Sequence, residues 1–221
     1  MRIYFIPGLG EEVFIFDKIN PFIKGDKVFI DNWSLLADLP EENLNALVYA
    51  QFLIERFKIT KQDVVIGHSL GGRVALHIKH IIQCPIVQIA SWTDGKKIFR
   101  PPSRQLIYWS ARHGIGLNSF VLKVLVFLRY RNAPSKDVFI SIFKKLMSGD
   151  RAIVVKQLKV IFAPVAQKIT ATPDLRIHAT ADPIVKPPDE QYVKVDGDHF
   201  TLYTHPKQVY EPIVHFLHRI S

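Results

Sequence analysis

Residues 64–72 read Val-Val-Ile-Gly-His-Ser-Leu-Gly-Gly, and this stretch decides the fold expected for the chain. β-Branched apolar residues run directly into a glycine-rich turn, and apolar residues at helical spacing follow the turn. The order predicts a buried strand, a strained turn that carries Ser69, and a helix whose free N–H groups face the serine. Gly67 and Gly71 suit this turn because side chains beside Ser69 would find no room. Gly72 is expected to let the helix begin close to the sheet.

Alternating strands and helices surround this turn. Apolar segments that predict strands lie at residues 2–6, 27–30, 63–66, 85–91, 175–179 and 192–195. Segments with helical spacing lie at residues 11–23, 41–57, 70–82 and 206–220. The predicted strands are apolar on both faces, which is typical of a parallel sheet covered by helices on both sides. The sequence therefore predicts an α/β protein with a mainly parallel sheet of about six strands.

The alternation is interrupted after residue 100, where no convincing strand occurs for about seventy residues. Helical patterns lie there at residues 103–113, 117–130, 135–147 and 150–163. We interpret residues 101–172 as a helical lid inserted into a core made of residues 1–100 and 173–221. Residues 101–170 hold twelve lysines and arginines but only two acidic residues, in a chain whose net charge is +9. The basic charge therefore belongs to the lid.

The composition limits the classes of protein to consider. With 221 residues, 48% of them apolar and 22% charged, the chain is expected to form one substantial core. Its single cysteine excludes an intramolecular disulfide and a multi-cysteine metal site. Proline and glycine break residues 1–8 too early for a signal peptide, and no apolar run reaches the roughly 20 residues of a membrane span. We therefore expect a soluble, cytoplasmic protein.

Two partners for Ser69 follow from the order of the predicted strands. A serine hydroxyl becomes a strong nucleophile only when a base accepts its proton and a third group orients that base. In proteins with this kind of turn, the acid and the histidine follow later strands of the sheet. Asp182 follows the predicted strand 175–179, and His199 follows the predicted strand 192–195. We therefore predict Ser69 as the nucleophile, His199 as the base and Asp182 as the acid that orients it.

Two backbone N–H groups are expected to bind the oxyanion that forms when the serine attacks a carbonyl carbon. One belongs to Leu70, which directly follows the predicted nucleophile. The other belongs to the glycine-rich loop 8–10 after the first strand, where the glycines let the backbone approach a substrate closely. Within this loop we assign the role to the N–H group of Leu9.

Three other carboxylates compete for the role of the acid. Asp94 follows the preceding strand, so it stays open as an alternative. Asp174 comes before its strand and is therefore expected at the wrong end of the sheet. Asp198 is adjacent to His199 in the sequence, which is too close for its carboxylate to reach the far nitrogen of that ring.

The other eight histidines are expected to have structural roles. His68 lies beside the predicted nucleophile but is expected to point away from it, as a packing or pocket residue. Asp182 and His199 lack a third ligand nearby in the sequence, so no metal site is expected. The predicted chemistry uses water as the second substrate and implies no cofactor.

The chain resembles the α/β-hydrolases, in particular the compact members with a helical lid. The resemblance rests on the serine turn and on residues 3–10, 177–187 and 197–205, and so covers the core from end to end. It implies the α/β-hydrolase fold, the chain order serine, acid, histidine, and a lid placed between the strand after the serine helix and the acid strand.

Three features depart from the family pattern. The antiparallel edge hairpin that usually precedes the first parallel strand is missing from the predicted elements. Pro7 stands where many members have histidine, although the backbone donors do not need that side chain. Asp198 stands where a second glycine is commoner, and a carboxylate there is expected to raise the pKa of His199.

A serine at the turn indicates cleavage of a carboxylic ester or thioester through an acyl-enzyme, because the dehalogenases and epoxide hydrolases of this family place an aspartate there. Trp92 and Phe200 are expected to shape the acyl pocket together with the lid. Two alternatives stay open: a non-catalytic binding protein on the same fold, and an acyltransferase or lyase that uses the same site.

The basic lid has several explanations. It is either a solvated face or a surface that attracts a polyanion. One such partner is an acidic carrier protein or coenzyme A that presents the acyl group, as in the pimeloyl-carrier-protein methyl ester esterases that the chain resembles. Another is an anionic membrane surface, on which residues 117–130 would lie as an amphipathic helix. Nucleic acid is disfavoured because the lid shows no recognisable binding module.

Overall fold

A six-stranded sheet forms the centre of the computed structural model, which describes residues 1–99 and 101–220. Within these residues every pair of neighbouring strands is parallel, and the order across the sheet is β2-β1-β3-β4-β5-β6. The predicted sheet is therefore confirmed. The strands are β1 (Arg2–Ile6), β2 (Asp26–Phe29), β3 (Val64–His68), β4 (Ile86–Ile89), β5 (Leu175–Ala179) and β6 (Val193–Val195).

Helices cover both faces of this sheet. They are α1 (Asn32–Ala37), α2 (Ala46–Phe57), α3 (Leu70–Ile82), α4 (Arg104–Arg112), α5 (Ser119–Leu125), α6 (Lys136–Ser148), α7 (Arg151–Phe162), α8 (Thr201–Thr204) and α9 (Pro206–Ile220). A π-helical turn, Val126–Tyr130, continues α5 directly. None of the helices in the described residues is long and apolar enough to cross a membrane.

Two apolar cores lie on opposite sides of the sheet. Ile3 and Phe5 of β1 face one side, where they belong to the same buried cluster as the inner face of α9. Tyr4 and Ile6 face the other side, where α1, α2 and α3 supply the buried partners. Successive strand side chains point to opposite faces, so a strand covered on both sides must be apolar throughout. This explains the uninterrupted apolar runs of the strands.

Residues 11–23 do not form the single helix predicted from their apolar spacing. They form two short 3-10 helices, Val13–Phe16 and Asn20–Phe22, instead. Pro21 lacks an N–H donor and disfavours the α conformation at the residue before it, so a continuous helix does not pass this point. The apolar residues nevertheless reach the core. The buried ones are Ile15, Phe16, Ile19 and Ile23.

The segment between β2 and β3 also differs from the prediction. The helix expected at residues 41–57 begins only at Ala46, where the side-chain oxygen of Asn45 accepts the N–H groups of the first turn. Helix α1 was not predicted, because six residues are too few to show a helical period. It begins after Asp31, whose side chain caps the first turn.

Four helices, α4 to α7, occupy the region predicted as the lid, and they agree in position with the four helical patterns. Helices α4, α1 and α3 all pack against α7, which joins the lid to the core. The division of the chain at residues 100 and 101 stays a prediction. Arg100 and Ser221 lie outside the described residues.

Candidate active site

Ser69 lies in the tight turn between β3 and α3, with φ of +51° and ψ of −117°. A positive φ is unfavourable for a residue with a side chain, so the surroundings must hold it. The Ser69 N–H group donates to the carbonyl of Ile89 at 3.0 Å. The hydroxyl of Ser91 donates to the carbonyl of Ser69 at 2.7 Å. Strand β4 and the loop after it therefore fix the strained turn.

The glycines of the turn are required by close backbone contacts. A Cβ atom on Gly71 would lie 2.0 Å from the carbonyl oxygen of Ile6, and one on Gly67 would lie 2.3 Å from the Gly71 backbone. A Cβ atom on Gly72 would lie 2.5 Å from the side chain of Ser91. These distances confirm that the turn leaves no room for side chains and that α3 starts close to the sheet.

The structure brings Asp182 and His199 together. Asp182 follows β5 and His199 follows β6, at the same edge of the sheet as Ser69. His199 Nδ1 donates to Asp182 Oδ2 at 2.8 Å. The other carboxylate oxygen, Oδ1, accepts the N–H groups of Ile184 and Val185 at 2.8 and 2.9 Å. The loop after β5 thus fixes the carboxylate that orients the imidazole ring.

The environment of Asp182 favours its ionised form. Burial alone would raise the pKa of this carboxyl, but the His199 ring and the two backbone N–H groups outweigh burial and lower the pKa below its usual value. A carboxylate that accepts the Nδ1 proton leaves His199 Nε2 without a proton in the neutral ring. That nitrogen is the atom that a general base needs.

Ser69 and His199 line the same cavity. Within the described residues their side chains form no hydrogen bond with each other. Such bonds are often long in proteins without substrate and shorten when the substrate binds. The predicted nucleophile and the predicted base therefore line one cavity without a hydrogen bond between their side chains.

The loop after β1 is held by side chains on two sides. The Gly8 N–H group donates to Glu11 Oε2 at 2.5 Å, and the Gly10 N–H group donates to Gln157 Oε1 of α7 at 2.8 Å. In the described part of the chain, the N–H group of Leu9 between them has no acceptor. The loop is therefore oriented through its two glycines, and the middle N–H group stays available.

The second predicted donor, Leu70, is the first residue of α3. Its N–H group also has no acceptor among the described residues, as expected for the first turn of a helix. Both predicted oxyanion donors thus have unused hydrogen-bonding capacity among the described residues. Leu70 follows Ser69 in the chain, and Leu9 lines the same cavity as Ser69.

Glu11 and His68 form a buried pair that was not predicted from the sequence. The pair connects loop 8–10 to the histidine loop, which is the loop after β6 that carries His199. His68 Nδ1 lies 2.8 and 2.9 Å from the two carboxylate oxygens of Glu11. His68 Nε2 lies 2.9 Å from the carbonyl oxygen of His199. Glu11 in turn accepts the Gly8 N–H group, so one chain of contacts joins loop 8–10 to the backbone of His199.

The protonation of His68 follows from these partners. A carbonyl oxygen only accepts, so Nε2 carries a proton, and the carboxylate accepts a second proton from Nδ1. Burial would lower the pKa of His68, but the charge and the hydrogen bond of Glu11, with the His199 carbonyl, raise it above the usual value. His68 was expected to be a packing or pocket residue. It links two loops of the site, and its contacts with Glu11 and the His199 carbonyl favour the protonated ring.

The sequence contained little signal for this pair. Glu11 precedes apolar residues at helical spacing, and an acidic residue at the start of a helix is ordinary. Its burial follows only from the fold, which brings the end of β1 beside the end of β3.

The competing carboxylates have other partners. Asp94 is exposed and caps the short 3-10 helix Gly95–Lys97 through the N–H group of Lys96. Asp198 accepts the hydroxyl of Ser135 at 2.5 Å, which links the histidine loop to the lid. Asp174 pairs with Lys79 at 2.6 Å and accepts the N–H group of Ile86, the first residue of β4. It therefore lies at the opposite end of the sheet from Ser69. Among the described residues only Asp182 contacts the His199 ring with a carboxylate.

The cavity above Ser69 has a volume of about 280 Å³ and an almost entirely apolar wall. Its polar side chains are those of Ser69, His199 and Glu11. Trp92 and Phe200, the predicted pocket residues, both line it. Lid helices α6 and α7 supply much of the rest of the wall. These residues are Phe139, Ile142, Phe143, Leu146, Leu158, Ile161 and Phe162.

Metal ligands do not converge in residues 1–99 and 101–220, where no group of three or more histidine, cysteine, aspartate or glutamate side chains is placed to hold an ion. The polar groups of the cavity are instead a hydroxyl, an imidazole, the Glu11 carboxylate and backbone N–H groups. This set supports nucleophilic attack on a carbonyl carbon and stabilisation of the resulting oxyanion.

Comparison with solved structures identifies the fold. A thermophilic esterase from Thermogutta terrifontis aligns with a TM-score of 0.72 and 13% identity over 100% of this chain and 90% of the esterase. A hydrolase from Oleispira antarctica aligns with a TM-score of 0.74 and 12% identity over 98% and 90%. An enol-lactonase from Burkholderia xenovorans aligns with a TM-score of 0.70 and 16% identity over 98% and 90%. The chain has the α/β-hydrolase fold.

Sequence comparisons add no closer relative. No model of a known protein family matches the chain, and no curated protein matches it. The solved structures share 12–16% of their residues with the chain, so their likeness shows the fold and leaves the activity to be argued from the site.

Proposed function

We propose that this protein is a serine hydrolase that cleaves a carboxylic ester or thioester through an acyl-enzyme. The observation that carries the proposal is the hydrogen bond between His199 and the buried Asp182, beside the strained Ser69 in an apolar cavity. The structural neighbours include esterases and other hydrolases, which supports hydrolysis as the reaction class.

In the proposed reaction, Ser69 Oγ attacks the carbonyl carbon of the substrate while His199 Nε2 accepts the hydroxyl proton. The N–H groups of Leu9 and Leu70 bind the oxyanion of the tetrahedral intermediate. Collapse of the intermediate breaks the bond to the leaving oxygen or sulfur, which receives the proton from His199. Asp182 stabilises the imidazolium that exists between these steps.

Water completes the cycle. His199 accepts a proton from water as the water oxygen attacks the acyl carbon, and the second tetrahedral intermediate releases the carboxylic acid and restores the Ser69 hydroxyl. Transfer of the acyl group to another acceptor uses the same acyl-enzyme. The two reactions differ only in the molecule that attacks it.

The wall of the cavity favours an apolar acyl group. An acyl chain that enters it exchanges water for the side chains of Trp92, Phe143 and their apolar neighbours. Burial of one methylene stabilises a complex by about 0.8 kcal/mol. The presentation of this acyl group on an acidic carrier protein or coenzyme A stays a proposal supported only by the basic charge of the lid.

A series of straight-chain esters tests the proposal. From acetate upward, each added methylene is expected to raise kcat/KM about fourfold until the cavity is filled, because the acyl chain is desolvated in the transition state. The measurement is the initial rate of hydrolysis for p-nitrophenyl esters and matched thioesters.

A variant with a shorter cavity provides the control for this series. Ile142→Phe adds volume to the lid side of the wall, so the optimum is expected to move to shorter chains while acetate hydrolysis changes little. Hydrolysis that is absent for every ester and thioester in the folded protein would favour a non-catalytic binding protein.

A further inference from the structure

Helix α5 and the π-helical turn that follows it expose a continuous apolar side. We call residues 119–131 the docking helix. Phe120 is 74% exposed, Phe127 63% and Leu128 66%. These positions, together with Val124, are spaced four, seven and eight residues from Phe120, and so share one side of the helix.

The opposite side of the docking helix packs on the protein. Leu122 and Tyr130 are buried, and the Tyr130 ring stacks on Phe139 of α6 with centroids 4.0 Å apart. The helix is therefore held in place by one apolar side while a second apolar side faces outward. Apolar side chains grouped in this way on a surface mark an interaction site.

The twelve cations of the lid divide into three groups. In the first group the charged atoms bind carboxylates or carbonyl oxygens of this chain, which leaves them little capacity for a partner. The members of this group are Arg112, Lys145, Arg151, Lys156 and Lys159. The second group lies on or beside the docking helix. The third lies on other segments of the lid, where its members are exposed and have no carboxylate partner among the described residues: Arg104, Lys144 and Lys168.

Lys123, Arg129, Arg131 and Lys136 form this second group. All four are exposed, and among the described residues none of them is paired with a carboxylate. The guanidinium of Arg131 lies 5.4 Å from the centre of the exposed Phe127 ring, so cation and apolar surface are contiguous. Among the described residues, four of the seven lid cations that bind neither a carboxylate nor a carbonyl oxygen therefore lie where the apolar side chains project.

We propose that the docking helix binds an anionic membrane surface. Its apolar side chains would enter the boundary between headgroups and acyl chains, and Lys123, Arg129 and Arg131 would pair with lipid phosphates. The surface suits a membrane better than an acidic carrier protein because Phe120, Phe127 and Leu128 project from the convex surface of a helix. A fluid apolar phase can enclose such a surface on all sides.

The surface has a direct connection to the cavity. Phe139, which stacks on Tyr130 of the docking helix, also lines the cavity above Ser69. An ester dissolved in the membrane would therefore meet the lid next to the cavity wall. This last step rests on the proposed function, whereas the binding of the helix to a membrane does not.

Vesicle binding of the full chain tests the proposal. Co-sedimentation is measured with vesicles of phosphatidylcholine alone and of phosphatidylcholine mixed with phosphatidylglycerol, at about 50 mM and about 300 mM NaCl. The wild type is expected to bind the anionic vesicles at least tenfold more tightly than the neutral ones, and less tightly at the higher salt concentration.

Two exposed double variants separate the apolar and charged contributions. Phe120→Ser with Phe127→Ser, and Lys123→Glu with Arg131→Glu, are each expected to weaken binding to anionic vesicles about tenfold or more. Matched controls outside the lid, Ile81→Ser and Lys61→Glu, are expected to bind like the wild type. Circular dichroism is measured to check that each variant is folded.

Other occupants of the surface give different results. Absence of binding to anionic vesicles overturns the proposal. Binding that survives the double variant Phe120→Ser with Phe127→Ser and is lost only on charge reversal also overturns the proposal. That result points to a polyanion such as an acidic carrier protein. A dimer in solution that becomes a monomer in Phe120→Ser with Phe127→Ser also overturns the proposal, because a second copy of the chain then covers the surface. Ser69→Ala should bind vesicles normally, which separates this proposal from the proposed hydrolysis.

Discussion

Replacement of Asp182 by asparagine is expected to lower kcat/KM for an activated ester by about 10⁴-fold while the protein stays folded. Asparagine keeps one oxygen, which can still accept the N–H groups of Ile184 and Val185. Its NH₂ group then faces His199 Nδ1, which must become an acceptor. The ring proton moves to Nε2, the atom that has to accept the proton of Ser69.

The competing acid provides a matched control for this substitution. Asp94 is exposed and caps a 3-10 helix, so Asp94→Asn is expected to keep kcat/KM within about twofold of the wild type. Steady-state kinetics on both variants, with thermal unfolding to compare stability, decide between the two carboxylates. Loss of activity in Asp94→Asn but not in Asp182→Asn would contradict the assignment.

The second large effect is expected for Glu11→Gln. The Glu11 carboxylate accepts from both Gly8 and His68, whereas the glutamine side chain has one accepting oxygen. At either carboxylate position an NH₂ group faces a donor, the Gly8 N–H group or His68 Nδ1, and the link between loop 8–10 and His68 is weakened. We expect kcat to fall about 10²-fold with a smaller change in KM, because the proposed role of loop 8–10 is to bind the oxyanion of the transition state, not the ground state.

The neighbouring glutamate gives the control. Glu12 is exposed and pairs with Lys145 at 2.7 Å, so Glu12→Gln is expected to leave kcat nearly unchanged. Equal kcat values for the two variants would contradict a positioning role for Glu11.

The pH dependence of stability distinguishes this role from simple packing. The folded pKa of His68 is raised, so its stabilisation is fully present below the unfolded pKa of about 6.5 and is lost as the pH rises through the folded value. Without the carboxylate, burial lowers the His68 pKa. The difference in free energy of unfolding between wild type and Glu11→Gln should therefore shrink as the pH rises, and an NMR titration of His68 should show the lower pKa.

Much of the fold follows from local patterns. Strands β1, β3, β4 and β5 are apolar on both faces, and the turn after β3 combines glycines with a serine in a recognisable order. Because parallel strands end at one edge, the positions of Asp182 and His199 along the chain were enough to predict their approach. These features depend on spacing, which a sequence displays directly.

The remaining features depend on contacts between distant segments. Residues 11–23 have helical spacing, but Pro21 and packing on the sheet give two 3-10 turns. Glu11 and His68 are 57 residues apart, and only the pairing of β1 with β3 places them in contact. Gln157 reaches Gly10 from the lid in the same way. A polar residue that is buried by such contacts has no distinctive pattern of its own.

The proposed function requires Ser69 to be a nucleophile activated within this cavity. A fluorophosphonate reacts with an activated serine by displacement of fluoride, which forms a stable phosphonyl ester on the hydroxyl oxygen. Intact-mass analysis and peptide mapping are the measurements, with Ser69→Ala as the test variant and Ser141→Ala, an exposed serine of α6, as the control.

We predict one label per wild-type chain, located on Ser69, with the same labelling in Ser141→Ala and none in Ser69→Ala. Absence of labelling in the folded wild type, with an apolar fluorescent ligand shown to enter the cavity, would contradict the assignment of Ser69 as an activated nucleophile. So would a label that persists in Ser69→Ala.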